Sequence, residues 1–165
     1  MNNDRLRQIE ENLNLLREQQ ASLEREALLT TGLPKTQAEQ RLRLEIKPKI
    51  RDYEQEYWQI LAENINQLAI LEPEAEVAIA EIVKSVAQIE VQQTDACSAE
   101  VLQILREIRD KLNQLGTTAA AKLKGVISSI PPFIGVSYEA ELDTENFFRK
   151  HFPTFTRVIK GAAKK

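Results

Sequence analysis

The sequence has very few of the residues from which catalytic and metal sites are built. It holds one cysteine and one histidine in 165 residues. One histidine makes no zinc site, and no helix carries the paired Glu-x-x-His motif of a di-metal bundle. The five glycines are scattered, so there is no glycine-rich phosphate loop. We therefore predict a protein that is not an enzyme, with no catalytic residues, no metal and no cofactor.

A single cysteine cannot form an internal disulfide, which agrees with a reducing cytoplasm. Cys97 stands at a predicted helix start, where the pKa of a thiol falls, but no histidine or second cysteine is close to it in sequence. A catalytic pair of Cys97 with His151 has no support from the sequence, and a structural thiol is the favoured interpretation.

Long apolar runs are also missing. The longest uncharged run, residues 125–138, is too short to cross a bilayer as a helix and contains Pro131 and Pro132. Residues 1–7 are polar, so we expect no signal peptide. These features predict a cytoplasmic protein, with peripheral attachment to a membrane as the alternative.

The net charge of −3 conceals an asymmetry. From Thr117 onward there are eight Lys/Arg and four Asp/Glu residues, a net charge of +4, and the residues before carry −7. The last twenty residues contain six basic residues and no acidic one. A basic end favours an anionic partner, whereas the acidic body argues against nucleic acid.

Residues 4–30 carry an uninterrupted apolar seam that predicts a helix. Its members are Leu6, Ile9, Leu13, Leu16, Gln20, Leu23 and Ala27, spaced by three and four residues. Gly32 and Pro34 provide the stop signal, and a second helix is expected from about residue 36 to residue 71. Pro48 should kink or divide this second helix. Two long helices joined by a short turn form an antiparallel hairpin, with Tyr53, Tyr57 and Trp58 expected to pack inside it.

Two further helices follow, from residue 72 to 91 and from about residue 101 to 115, separated by a polar loop at residues 92–98. Pro73 and the neighbouring acids mark the start of the first, and Gly116 is the expected end of the second. The predicted fold class is all-α: a long antiparallel hairpin plus further helices forming a bundle. We predict a division into residues 1–116, hairpin and bundle, and residues 117–165, an amphipathic, aromatic and basic segment.

A helix is expected over residues 119–130, capped by Thr117 or Thr118 and ended by Pro131 and Pro132. From residue 136 to 143 the apolar residues alternate with polar ones, which predicts a short extended segment near the C-terminus. A single strand needs a partner strand, or must lie along the bundle. Its row of acidic residues is interpreted as a solvated face and not as a cation site.

The C-terminal residues combine aromatic and basic side chains in short amphipathic helices, capped by Asp143 or Thr144 and broken at Pro153. Three interpretations stay open: an interfacial membrane segment, a helix that docks into a partner's groove, and a cap that closes the bundle. The candidate contact residues are Phe147, Phe148, Phe152, Phe155, Arg157, Val158, Ile159 and Lys160.

The run from Ile130 to Pro153 resembles a segment of cyanobacterial multidomain signalling proteins. In these proteins a helical N-terminal module precedes pentapeptide repeats, caspase-like peptidases or nucleotide-binding oligomerisation modules of the NLR type. The matching residues are Ile130, Pro131, Ser137, Tyr138, Glu139, Glu141 and Asp143. The layout also resembles HeLo-like and Bell-type cell-death domains at the level of the fold. This chain carries no sensor or ATPase, so the resemblance implies an effector, an adaptor or a separately encoded partner.

Two functions are consistent with these patterns. The first is a non-enzymatic interaction module, an adaptor or oligomerisation unit whose apolar seams contact a protein partner or a second copy of the chain. The alternative is a membrane-acting cell-death effector that uses the aromatic basic segment at an anionic surface. Nucleic-acid binding is the weakest interpretation, because the aromatic residues are not arranged as a stacking platform.

Overall fold

The computed structural model describes residues 1–92 and 98–164. They form helices and connecting turns with no strand, which confirms the predicted all-α class. The chain divides into two compact units: one runs from Asn2 to Tyr57, and the other runs from Trp58 onward and includes Met1. The predicted division after residue 116 lies inside the second unit.

The first unit is the predicted helical hairpin. Helix α1 (Asn3–Leu29) is followed by a short turn and helix α2 (Leu33–Arg41), and a π-helical segment (Leu42–Ile46) then leads into helix α3 (Lys47–Glu63). The residues of this unit that are buried in apolar contacts are Leu6, Ile9, Leu13, Leu16, Leu23, Ala38, Leu42, Ile46, Ile50 and Tyr57. Most of the apolar seam of α1 is therefore buried within the hairpin.

Polar contacts fix the antiparallel register of the two arms. Arg17 pairs with Glu54 at 2.8 Å. Nearer the start of α1, the Arg5 guanidinium donates to both carboxylate oxygens of Glu56, at 2.6 and 2.9 Å. The Tyr57 hydroxyl donates to Glu10 at 3.3 Å, and burial together with that carboxylate raises the pKa of Tyr57 well above its ordinary value. Early residues of α1 therefore meet late residues of the returning arm.

Pro48 does not divide the helix, and the backbone instead adapts just before it. Proline has no N–H and its ring clashes with the carbonyl four residues back, here that of Leu44. The backbone widens before it: the Lys47 N–H donates to the Leu42 carbonyl, five residues back. This π-helical turn accommodates the ring, and the chain stays helical from Leu33 to Glu63.

Three predicted helix ends are corrected. Helix α2 begins at Leu33, with Pro34 in its first turn, where a missing N–H costs nothing. Helix α3 ends at Glu63 and not at residue 71, because the Asn64 side chain takes the Ile60 carbonyl at 2.8 Å and a 3₁₀ turn follows. Helix α5 (Ala99–Leu112) stops before residue 115, whose side chain is exposed.

Helix α4 (Glu72–Gln92) is the central element of the second unit. It contacts α5, helix α6 (Ala119–Ile127), helix α8 (Thr144–His151) and helix α9 (Pro153–Ala163). Small and β-branched residues line its buried face and allow close approach on several sides. The buried residues are Ala75, Ala78, Ile82, Ser85, Val86 and Ile89.

Two acidic side chains of α4 bind the starts of other helices. The Glu72 carboxylate accepts from the Ala119 and Ala120 N–H groups at 2.6 and 3.1 Å, at the start of α6. The Glu81 carboxylate accepts from the N–H and hydroxyl of Thr154, at 2.9 and 2.7 Å, at the start of α9. A carboxylate at a helix start satisfies free donors and the positive end of the helix dipole.

The predicted extended segment at residues 136–143 is wrong. Helix α7 (Ile130–Glu139) occupies the first half of it. Pro131 and Pro132 stand in the first turn of that helix and do not end the one before. Its buried residues, Ile130, Phe133, Ile134 and Ser137, follow helical spacing. The alternation arose because the pattern spans the last turn of α7 and the loop after it.

The end of α7 is a Schellman motif with a strained residue. The Leu142 N–H donates to the Ser137 carbonyl at 2.8 Å and the Glu141 N–H donates to the Tyr138 carbonyl at 3.1 Å. Glu141 has φ of 59°, the left-handed conformation that glycine normally supplies. The Thr144 hydroxyl, 2.6 Å from that of Ser137, ties the turn to α8.

We expect Leu16→Asp to lower the free energy of unfolding by at least about 3 kcal/mol, because it places a charge in the interior of the hairpin. The matched control is Glu18→Ala on the exposed face of α1, which should stay within about 0.5 kcal/mol. Arg17 is unsuitable as a control since it pairs with the buried Glu54. Urea titration followed by circular dichroism measures both, and equal midpoints would contradict the buried seam.

We expect Glu141→Gly to raise the free energy of unfolding by about 0.5–1 kcal/mol, because glycine adopts a positive φ without steric cost. Glu139→Gly is the control: it removes the same charge from the same helix end, but lies inside α7 and should destabilise by about 1 kcal/mol. Thermal unfolding of the two variants tests this, and the same sign of change in both would refute it.

Candidate interaction site

The candidate contact residues of the C-terminal segment lie mainly in the interior of the second unit. Six of them are at most 7 % exposed: Phe147, Phe148, Phe152, Phe155, Val158 and Ile159. Arg157 is exposed and Lys160 is half-buried. The fold therefore turns the aromatic side of α8 and α9 inward and leaves the basic side outward, which is the arrangement expected of a bundle cap.

The buried rings form one aromatic cluster around Phe148. Trp58 stacks on Phe155 with ring centroids 5.8 Å apart and planes at 8°. Phe148 lies 6.0 Å from Trp58 and 5.6 Å from Phe133, and Phe147 lies 5.2 Å from Phe133. Offset and edge contacts of this kind add to the free energy of burial. The cluster joins the start of the second unit to its last two helices.

His151 closes α8 at the margin of this cluster. Its ring lies 4.7 Å from that of Phe147, and its backbone carbonyl accepts from the buried Ser85 hydroxyl of α4 at 2.8 Å. Burial, and secondarily the charge of Lys150, lowers the pKa of the imidazole below its ordinary value. The position of the ring favours the neutral form and a packing role.

We expect the free energy of unfolding to fall as pH is lowered from 7.5 to 5.5, and to fall less in His151→Gln. The folded pKa is depressed, so in this range the unfolded chain binds the extra proton and is favoured. The loss begins near the unfolded pKa of about 6.5 and ends once the lower folded pKa is passed.

Urea titrations at three pH values measure the effect, and only the pH slope is compared, because the substitution also alters packing. His151 is the single histidine, so no other imidazole contributes. Identical slopes for the two proteins would contradict the assignment.

The hairpin presents an apolar surface where its arms meet. Leu28 and Leu29 end α1 and Leu33 begins α2, with side chains 82 %, 75 % and 68 % exposed. Gly32, with φ of 68°, makes the turn that brings these two helix ends together. We name Leu28, Leu29 and Leu33 the leucine tip. Isolated exposed leucines are ordinary, but three at one end of a hairpin are a candidate contact surface.

A second feature of the hairpin is a groove of about 450 Å³ between α1 and α3. Its lining residues are Asn12, Leu15, Leu16, Gln19, Lys49, Asp52, Tyr53 and Glu56. The charged members already have partners within the chain: Lys49 pairs with Glu45, Asp52 with Arg51 and Glu56 with Arg5. These charged groups of the groove are therefore already paired within the chain, whereas the leucine tip exposes apolar side chains.

Within residues 1–92 and 98–164, no group of three or more His, Cys, Asp or Glu side chains is arranged to hold a metal ion. In the same ranges no helix has the length and apolar character needed to cross a bilayer. Cys97, interpreted from the sequence as a structural thiol, lies outside the described residues.

No protein-family model matches the chain, and no curated protein or solved structure matches it at a significant level.

The leucine tip is absent from the candidates that the sequence indicated. Leu28 is off the apolar seam of α1, and Leu33 lies beyond the glycine that ends the pattern. The sequence did contain a signal for the tip. Three leucines lie within six residues around a glycine turn, and none of them belongs to the apolar seam of α1 that packs inside the hairpin. Apolar residues that the seam cannot accommodate are the ones to examine for exposure.

Proposed function

We propose that this protein is a non-enzymatic helical interaction module, acting as an adaptor or an oligomerisation unit, and that the leucine tip is its contact surface. The observation that carries the proposal is the exposure of Leu28, Leu29 and Leu33 at one end of the hairpin. Apolar groups in this position add little to the stability of the hairpin. They gain free energy only when another surface covers them.

The size of the tip fits a reversible contact. Covering a leucine side chain fully contributes about 1.5–3 kcal/mol, so three give a gross gain of several kcal/mol. Association itself costs about 4–15 kcal/mol in lost freedom. The tip must therefore act as the apolar centre of a larger interface whose rim is charged, as at many protein–protein contacts. Arg25 and Lys35 are exposed beside it.

The surface differs from the one that the heptad pattern suggested. The members of the α1 seam, such as Ile9 and Leu13, are buried within the hairpin, so a partner reaches them only if the hairpin opens. Insertion of the C-terminal aromatic residues into a membrane has the same requirement, because Phe152 and Phe155 are at most 1 % exposed. Of the two candidate functions, docking through the tip needs no rearrangement.

A bacterial signalling or immune context is part of this proposal. Its support is the resemblance of residues 130–153 to helical modules of cyanobacterial signalling proteins. The matching positions fall within residues 130–143, which build α7 and its Schellman turn. A cytoplasmic location would fit such a role. The partner would then be a second copy of the chain or a separately encoded protein.

We expect the protein to self-associate with increasing concentration and the triple variant Leu28→Ser, Leu29→Ser, Leu33→Ser to remain monomeric. The matched control is Leu44→Ser, Leu71→Ser, Leu115→Ser, three exposed leucines outside the tip, which should associate like the parent. Sedimentation velocity over a hundredfold concentration range measures the effect, and circular dichroism checks that all three proteins keep the same helicity.

A photo-crosslinking residue at position 29, in cells that express the full chain, tests for a separately encoded partner. A discrete adduct from position 29, absent when the same group is placed at the exposed position 18, supports the adaptor form. A parent protein that is monomeric throughout, with no adduct specific to position 29, overturns the proposal in both forms.

A further inference from the structure

Charge is segregated within the second unit. Residues 58–145 contain six Lys/Arg and fourteen Asp/Glu residues, a net charge of −8. Residues 146–165 contain six Lys/Arg and no acidic residue. Helices α8 and α9 carry four of these basic residues and Lys164 caps α9, so the last two helices are basic while residues 58–145 together are acidic.

Helix α9 separates its apolar and basic residues onto opposite sides. Phe155, Val158, Ile159, Ala162 and Ala163 are buried. The exposed positions are Pro153, Arg157, Gly161 and Lys164, with the half-buried Lys160 adjoining them. Arg157, Lys160 and Lys164 are spaced by three and four residues, so they share one side of the helix. We name these three residues the basic stripe.

Helix α8 adds two exposed cations. Arg149 is paired with Glu145 at 3.3 Å, an exposed contact of little energetic weight, and Lys150 is exposed next to it. Helices α8 and α9 with the capping Lys164 thus carry five basic residues, of which Arg149 and Lys160 also make contacts within the chain. This number lies in the range of four to eight Lys/Arg residues typical of segments that bind anionic lipids.

We propose that α8 and α9 attach the folded protein reversibly to anionic lipid bilayers through the basic stripe, by charge attraction alone and without insertion of aromatic side chains. The buried phenylalanines remain in the core, since the attachment uses the opposite side of the helices. This inference is independent of the leucine tip, which belongs to the other unit.

The observations favour a lipid surface over nucleic acid. Binding to single strands relies on aromatic side chains that stack on bases, and all five phenylalanines of the chain are at most 6 % exposed. A bilayer requires only cations on one side of a helix, without stacking or base contacts. The acidic residues before α8 are repelled by an anionic bilayer and by nucleic acid alike, so they do not discriminate between the two partners.

The test measures cosedimentation of the full chain with vesicles of phosphatidylcholine alone and of phosphatidylcholine containing 30 % phosphatidylserine. We expect binding to the anionic vesicles only, and loss of that binding at 0.5 M salt, where the Debye length is much shorter than under physiological conditions. Neutralising Lys150, Arg157 and Lys164 with glutamine should lower the partition coefficient about a hundredfold, at about fivefold per charge.

The matched control is Lys35→Gln, Arg43→Gln, Lys47→Gln, three exposed basic residues of the hairpin with the same change in net charge. It should bind the anionic vesicles as the parent does. Equal losses in the two triple variants would show a general charge effect and overturn the basic stripe.

Trp58 reports whether the core opens. It is the single tryptophan and is stacked on Phe155, so insertion of α9 into the bilayer would change its emission. Unchanged emission in the bound state supports surface attachment, and a shift would overturn the claim that the aromatic cluster stays closed. Absence of binding to anionic vesicles at low salt, or tighter binding to single-stranded RNA, overturns the lipid assignment.

Discussion

The polar contacts that α4 makes with α8 and α9 constrain the whole second unit. Glu81 holds the start of α9 through Thr154, and Ser85 holds the end of α8 through the His151 carbonyl, so one turn of α4 fixes the corner between these helices. Both helices are short, and helices of this length are unstable without tertiary contacts. Once the corner is fixed, Phe148 and Phe155 face inward and Trp58 completes the aromatic cluster. Because the apolar sides of α8 and α9 face inward, the basic residues on their other sides face outward.

Local signals in the sequence were sufficient for most of the architecture. The α1 seam predicted the hairpin, and two of the expected capping residues are in place: Thr118 accepts from the Ala121 N–H and Asp143 from the Asn146 N–H. The Pro131–Pro132 pair was misread because proline both opens and ends helices, and only the burial of later residues distinguishes the two cases. The contact of Glu81 with Thr154 joins residues 73 positions apart, and no local pattern encodes it.

The candidate site was harder to predict for a related reason. An amphipathic helix with phenylalanine on one side and lysine on the other has the same sequence whether the apolar side meets a membrane or the core of its own fold. The presence of a complementary apolar surface decides between them, and here α4, α7 and Trp58 provide it. The leucine tip shows the converse: its residues lack a surface to meet within the hairpin. Exposure is a property of the whole chain, whereas amphipathicity is a property of one segment.

The π-helical segment at Leu42–Ile46 has a consequence for how this chain tolerates changes in length. Buried residues of the returning arm recur every four positions, at Ala38, Leu42, Ile46 and Ile50, which is too wide a spacing for a regular α-helix. The wide turn absorbs the excess and keeps all four on the inner side. A one-residue deletion in α3 rotates every later side chain by about 100° about the helix axis. Within residues 42–46 the same deletion converts the wide turn into an ordinary α-helical one. This is therefore the place in the hairpin where one residue can be removed while the later buried residues keep facing inward.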